Sequence, residues 1–257
     1  IAALIGFMPF ANNLYSKDIN VPKDYPTIQA GIDASLNGDR IIVPSGTYHE
    51  AIDFKGKAIT LKSSDGAEKT IIDASGLDDS VVKCINGESS STILEGFTIT
   101  RGAGKYLEGL KCGGGMVNLE SSPTISNCIF LENILEAGPS GAIGGGMYNK
   151  NSNSNIKNCD FISNQASNGA GMRNDNSNVK IENCRFLSNT SFNDGGGLAN
   201  INSSSIIMYC VFANNNASGD GGALFNNGKL ELINCTIAKN GDREGGLLEA
   251  GQSTIIN

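Results

Sequence analysis

Four polar residues hold one position in successive Gly-rich phrases of this chain: Asn168, Asp194, Asp220 and Glu244 each stand four residues before a Met or Leu. If those phrases stack, carboxylates come to lie above one another at the rung spacing of a β-sheet, about 4.8 Å. Charges that close must be relieved by a cation, a turn amide or a bound proton. Two readings are open: a Ca²⁺ ion bridging the column, or hydrogen bonds from the glycine amides that follow each side chain. A second column, Val117, Tyr148, Arg173, Ala199 and Phe225, sets an aromatic ring beside an arginine. Such a pair can hold a sugar ring, or can simply stack. A third set crosses charges between neighbours, Asp160 with Arg185 and Lys157 with Glu182. These are either structural ladders, each contributing no more than about 1 kcal/mol, or part of a site for an acidic sugar.

Other reactive side chains are sparse. The single histidine, His49 in SGTYHE, has no second His or Cys beside it and reads as a turn residue rather than a metal ligand. Of the seven cysteines, five stand in one column among Phe and Ile. Adjacent members come near the Cα separation of a disulfide, but five cannot all pair, so free buried thiols are expected. Cys84 and Cys112 lie outside the column, and their oxidation state is open.

What positions these residues is a repeat. NCIF at 127–130, NCDF at 158–161, NCRF at 183–186, YCVF at 209–212 and NCTI at 234–237 place Cys128, Cys159, Cys184, Cys210 and Cys235 at steps of 31, 25, 26 and 25 residues. A period in that range is the mark of a solenoid. Asn recurs five residues after each Cys (Asn133, Asn164, Asn189, Asn215, Asn240), and GGGMVN, GGGMYN, GAGMRN, GGGLAN and GGALFN recur ahead of it. In VKIENCRF, Val179 and Ile181 share a face by period two, Asn183 interrupts, and Cys184 and Phe186 resume. Asn suits the left-handed backbone of a sharp bend, so the Asn before each Cys is a corner and not a chemical site. The 31-residue step leaves an extra loop, EAGPSG at 136–141. Upstream, PTIQAGIDASLNGD at 26–39, apolar at Ile28, Ile32 and Leu36, predicts an amphipathic helix that caps the first coil. Strands are predicted at 41–43, 51–54, 58–63, 70–73, 81–85 and 91–100.

Composition agrees. Charged residues make up 18% of the 257, Gly numbers 33, and the net charge is −7; few helices and many tight turns follow, and the overall field repels nucleic acid. The fold class is all-β, a right-handed parallel β-helix of about 25-residue coils with an N-terminal capping helix. Residues 1–16 form a hydrophobic segment, a signal remnant or a capping strand, and 17–257 form one domain.

The residues at 25–63 (YPTIQAGIDASLNGDRIIVPSGTYHEAIDFKGKAITLKS) and GFTITRG at 96–102 resemble the opening of secreted bacterial right-handed β-helix repeat proteins of the pectin-lyase-like superfamily. The repeats are similar to the GGA-(I/L/V) and F-x-x-N motifs of the polymorphic outer-membrane protein family, in GGAL at 221–224, FLEN at 130–133, FISN at 161–164 and FLSN at 186–189. The resemblance implies export to the exterior or the cell surface and leaves activity open, since the scaffold serves lyases, esterases and adhesins alike. A polygalacturonase-like site would need paired aspartates and a Gly-His-Gly phrase, which are absent; NCDFIS at 158–163 imitates an esterase phrase without its Gln-Asp partner. The leading expectation is a non-catalytic extracellular or cell-surface protein, adhesive or structural, stacking end to end with itself into a filament through residues 1–11 and the coil at 245–257. The alternative is a carbohydrate-active enzyme, a lyase on extracellular acidic polysaccharide.

Overall fold

The computed structural model describes residues 16–136, 141–241, 246–249 and 251–256. The chain winds through coil after coil, and the strands of each coil pair in parallel with their counterparts above and below. In the middle of the stack, Met172–Asp175 lies on one wall, Lys180–Glu182 on a second and Arg185–Leu187 on a third, with the short strand Thr190–Ser191 closing the circuit. Pairing keeps the cysteine-based register: Asp160 faces Arg185 and then Val211, and Tyr148 faces Arg173 and then Ala199. This is the right-handed parallel β-helix expected from the repeat.

The corners follow from backbone conformation. Asn127, Asn158, Asn183 and Asn234 adopt φ of 54°, 54°, 53° and 49°, and Tyr209 holds the same corner at 58°. Asn tolerates this region because its short polar side chain adds little steric penalty there. The glycines of the Gly-rich phrase serve close approach: a Cβ on Gly171 would lie 2.4 Å from the Gly197 carbonyl oxygen and 3.0 Å from the Phe186 ring.

Inside, each column repeats one side chain. Phe130, Phe161, Phe186 and Phe212 are fully buried and stack with ring centroids 4.6–4.7 Å apart. Ile237 continues the column but is 36% exposed, because no described strand pairs above Thr236–Ala238. The Asn residues that follow each Cys by five turn inward. Asn164 Nδ2 donates to the Phe130 carbonyl at 2.9 Å and to Asn189 Oδ1 at 3.0 Å, and Asn189 and Asn215 repeat the pattern. A buried amide needs all its partners, and here the preceding coil supplies the carbonyl and the following coil the Asn oxygen. Another inward column runs from Asn118 through Asn149 to Asn174 and resumes between Asn200 and Asn226. It is interrupted between Asn174 and Asn200: Asn200 Oδ1 accepts from Ser205 Oγ, and Asn174 Nδ2 has no partner among the described residues.

The helix Ile28–Ala34 covers the first coil, with Thr27 Oγ1 accepting from the Ala30 amide as its N-cap. Ile28 and Ile32 are buried, whereas Leu36 lies beyond the helix and is 66% exposed. Only the first two members of the expected apolar stripe pack, because the helix ends at Ala34, before it can turn the third inward. At the other end Ile255 and Ile256 are exposed; residues 1–11, their expected complement, and Glu244 lie outside the described residues.

The stacked rings make the core intolerant of truncation. Phe186→Ala is expected to lower unfolding stability by about 3–5 kcal/mol through the cavity it leaves, measured by denaturant titration. A loss below about 1 kcal/mol would be incompatible with this register.

Candidate functional site

Most outward charges on the walls are consumed by neighbours. Arg40 pairs with Asp18 at 2.7 Å, Lys62 with Glu95 at 3.1 Å and Lys157 with Glu182 at 3.2 Å, all between paired strands. Asp160 and Arg185, the expected sugar-acid residues, form a bidentate pair at 2.7 and 2.5 Å. These contacts are ladders of the kind the crossed charges suggest, and they leave each carboxylate already held.

Tyr148 and Arg173 are neighbours, as their spacing requires. Their surroundings differ from a sugar platform. Tyr148 is only 4% exposed and packs with Cys112, Val117 and Ile143 beneath an antiparallel hairpin, Lys105–Leu107 and Leu110–Cys112. Its hydroxyl donates to Asp175 Oδ2 at 2.8 Å, while Arg173 Nε donates to Asp175 Oδ1 at 2.9 Å. The carboxylate joins the two residues, so Tyr148 has no free ring face for a ligand. Burial, with Asp175 beside it, pushes the Tyr148 phenol well up. Neither Asp175 nor the hairpin was foreseen; the hairpin sequence KYLEGLKC departs from the repeat, which is the one signal the sequence offers.

The calcium candidates also stack, but as hydrogen-bond acceptors. Asn168 Oδ1 accepts from the Asp194 amide at 3.3 Å, and Asp194 Oδ1 from the Asp220 amide at 3.0 Å. The donor is the amide of the next column member rather than a following glycine. Among the described residues no three His, Cys, Asp or Glu side chains converge to hold a metal.

A groove lies beside the inserted hairpin, which contributes Lys111 to its lining. Two adjoining cavities of about 280 and 290 Å³ share Gly76, Ala103 and Ile134. Ser75, Arg101 and Glu132 line one, and Asp78, Lys111 and Glu136 the other. Lys111 Nζ lies 2.9 Å from Asp78 and 5.3 Å from the Tyr106 ring centre. Glu132 and Glu136 form no ion pair among the described residues. A third cleft, of about 300 Å³ on the outer face of the last coils, holds Lys229 and Glu231 but no buried charge.

Behind the groove sits a buried carboxylate with a cationic neighbour. Asp73 is 1% exposed; its Oδ1 accepts from the Ser75 amide at 2.9 Å, and its Oδ2 lies 2.8 Å from Arg101 Nη2 and 3.6 Å from His49 Nδ1. His49, read from the sequence as a turn residue, follows the strand Gly46–Tyr48 with its side chain 68% exposed and its Nδ1 beyond hydrogen-bond distance of Asp73. That strand pairs with Thr70–Asp73, which pairs with Thr98–Thr100, so the three side chains come from three consecutive coils. The upstream coils lack the cysteine ruler, and without it their rungs cannot be aligned from sequence.

All seven cysteines are free; Cys235 is half-buried and the others are buried. Burial holds Cys84 well above the usual thiol range and pushes Cys112 up to about 12.

The family model described as "Right handed beta helix region" matches residues 139–257. No curated protein matches the chain. Among solved structures, the pectin methylesterase from carrot is similar at TM-score 0.52 and 14% identity, covering 100% of this chain and 90% of that one. The pectin methylesterase from Aspergillus niger is similar at TM-score 0.54 and 15% identity, with 93% and 85% covered. At such identity the likeness is one of fold.

The raised Cys112 thiol carries a pH signature. In the unfolded chain it ionises near 9 and in the folded protein near 12, so between those values the unfolded state binds fewer protons and stability falls as pH rises. The limiting slope from this thiol is about 1.4 kcal/mol per pH unit. Unfolding measured at pH 8, 9.5 and 11 should show this decline, and Cys112→Ala should lessen it; an unchanged slope in the variant would contradict the assignment.

Proposed function

We propose that the protein is an exported β-helix that binds an extended polysaccharide along the groove between Ser75 and Glu136. The observation that carries this reading is a shape: the walls are faced with inter-coil ion pairs, whereas Arg101 and Lys111, each paired to an aspartate, line a depression with Glu132 and Glu136, which form no ion pair among the described residues. Apolar Ala103 and Ile134 beside polar side chains match a sugar, which offers hydroxyls at its edge and C–H groups on its faces. Arg101 favours a glycan bearing carboxylates, since its guanidinium can meet a carboxylate with two donors. The pectin named in both fold neighbours is the first glycan to test. This reading departs from the expected non-catalytic filament element, whose expected contact through residues 1–11 lies outside the described residues.

Calorimetry with polygalacturonate, alginate and a neutral galactan tests it. Binding of the acidic chains is expected, with Arg101→Ala weakening it about 10-fold or more, the scale of one hydrogen bond to a charged group. Equal affinity in wild type and variant would place the site elsewhere, and no binding to any of the three would overturn the reading.

A further inference from the structure

We propose that Cys210 and Cys235, the two thiols at the accessible end of the cysteine column, bind the soft cation Cu(I) as a two-coordinate thiolate site. The proposal is independent of the groove and starts from a mismatch in spacing. Cys128, Cys159, Cys184, Cys210 and Cys235 repeat one arrangement: each Sγ lies 3.2–3.4 Å from the carbonyl oxygen two residues before it. The Cys159 amide donates to Cys184 Sγ at 3.4 Å and the Cys184 amide to Cys210 Sγ at 3.3 Å, so each thiol stands over the next. Side chains that repeat one arrangement on successive rungs are separated by the rung spacing, about 4.8 Å. The Phe rings two residues further on stack at 4.6–4.7 Å, which is the same step. A disulfide needs its sulfurs about 2.05 Å apart. The column thus keeps thiols as neighbours at more than twice that distance.

A metal ion between two of them removes the mismatch. A metal–thiolate bond is about 2.3 Å long, so a cation bonded to two thiolates in a line spans about 4.6 Å, close to one rung. Soft thiolate ligands select Cu(I), whose filled d shell accepts two ligands in line. Zn²⁺ takes four ligands, and among the described residues no three His, Cys, Asp or Glu side chains converge to begin such a set.

Access selects the pair. Cys128, Cys159, Cys184 and Cys210 are buried, whereas Cys235 is half-buried and lines a cavity of about 250 Å³ with Leu232, Ile237 and Ile255. These apolar side chains bring no carboxylate for a hard cation such as Ca²⁺. Cys235 adjoins Cys210 through its thiol, and hydrogen bonding to Cys210 holds it well above the usual thiol range. Binding must therefore displace protons. Cu(I) forms two Cu–S bonds, both thiol protons pass to solvent, and the bis-thiolate carries one net negative charge. The Cys184 amide, donating to Cys210 Sγ, helps to offset that charge.

The whole chain, fully reduced, is titrated anaerobically with Cu(I) supplied as its ferrozine complex, whose absorbance falls as the ion is withdrawn. At least one equivalent is expected to transfer to the protein, and X-ray absorption is expected to show two sulfur neighbours. Cys235→Ala should weaken binding by about 10-fold or more, since even an outer partner of a metal site contributes that much. Cys112→Ala, which lies away from the column, should leave it unchanged. Cys210→Ala should match Cys235→Ala if circular dichroism shows it folded; should it fail to fold, the half-buried Cys235 variant decides alone. No transfer from ferrozine, undiminished binding by Cys235→Ala, loss of binding by Cys112→Ala, or three or more sulfur neighbours would each overturn the proposal.

Discussion

The constraint on which this molecule depends is that a wall strand has no hydrogen-bonding partner within its own coil. Between the two ends of the stack, the strands of the walls bond to the coil before and the coil after, in parallel and in register. One coil cannot therefore bury its apolar face or satisfy its amides by itself, and stability arises only between neighbours. That requirement explains why whole side-chain types repeat. A Phe placed over a Phe fills the layer at rung spacing, and an Asn placed over an Asn donates one hydrogen bond up to the next Asn and one down to a carbonyl of the preceding coil.

The same constraint governs the outside. Outward side chains also sit at rung spacing, where like charges repel and unlike charges pair at small gain. The walls have settled into such pairs, as Lys157 with Glu182 and Asp160 with Arg185 illustrate. A wall saturated with its own partners offers little to a ligand. Chemistry needs a departure from the repeat, and the departure occurs between Thr98–Thr100 and Met116–Leu119, where the hairpin Lys105–Cys112 is inserted. It covers Tyr148 on one side and walls the groove at Lys111 on the other. A rigid stack beneath an irregular loop is a common division of labour, because the scaffold fixes positions that the loop then exploits.

Asp73 illustrates how the stack builds a polar cluster. Its burial would be costly alone, yet the corner that follows Thr98–Thr100 puts Arg101 at φ 58° directly over it. The αL corner that merely turns the chain elsewhere, at Ser163 and Ser188, there presents a guanidinium.

The sequence by itself determined the period, the corners and the columns. Cys, Phe and Asn recur at fixed offsets because each must meet its own kind one coil away, and that rule is written in local spacing. It also determined which outward residues are neighbours, including Tyr148 with Arg173 and Asp160 with Arg185. Only the tertiary structure decided what those neighbours can do. Whether Tyr148 faces solvent depended on a hairpin whose path no period describes, and which side chains lie beside Asp73 depended on the alignment of upstream coils of unequal length. Burial and convergence are set by the loops between rungs, whereas spacing records only the rungs.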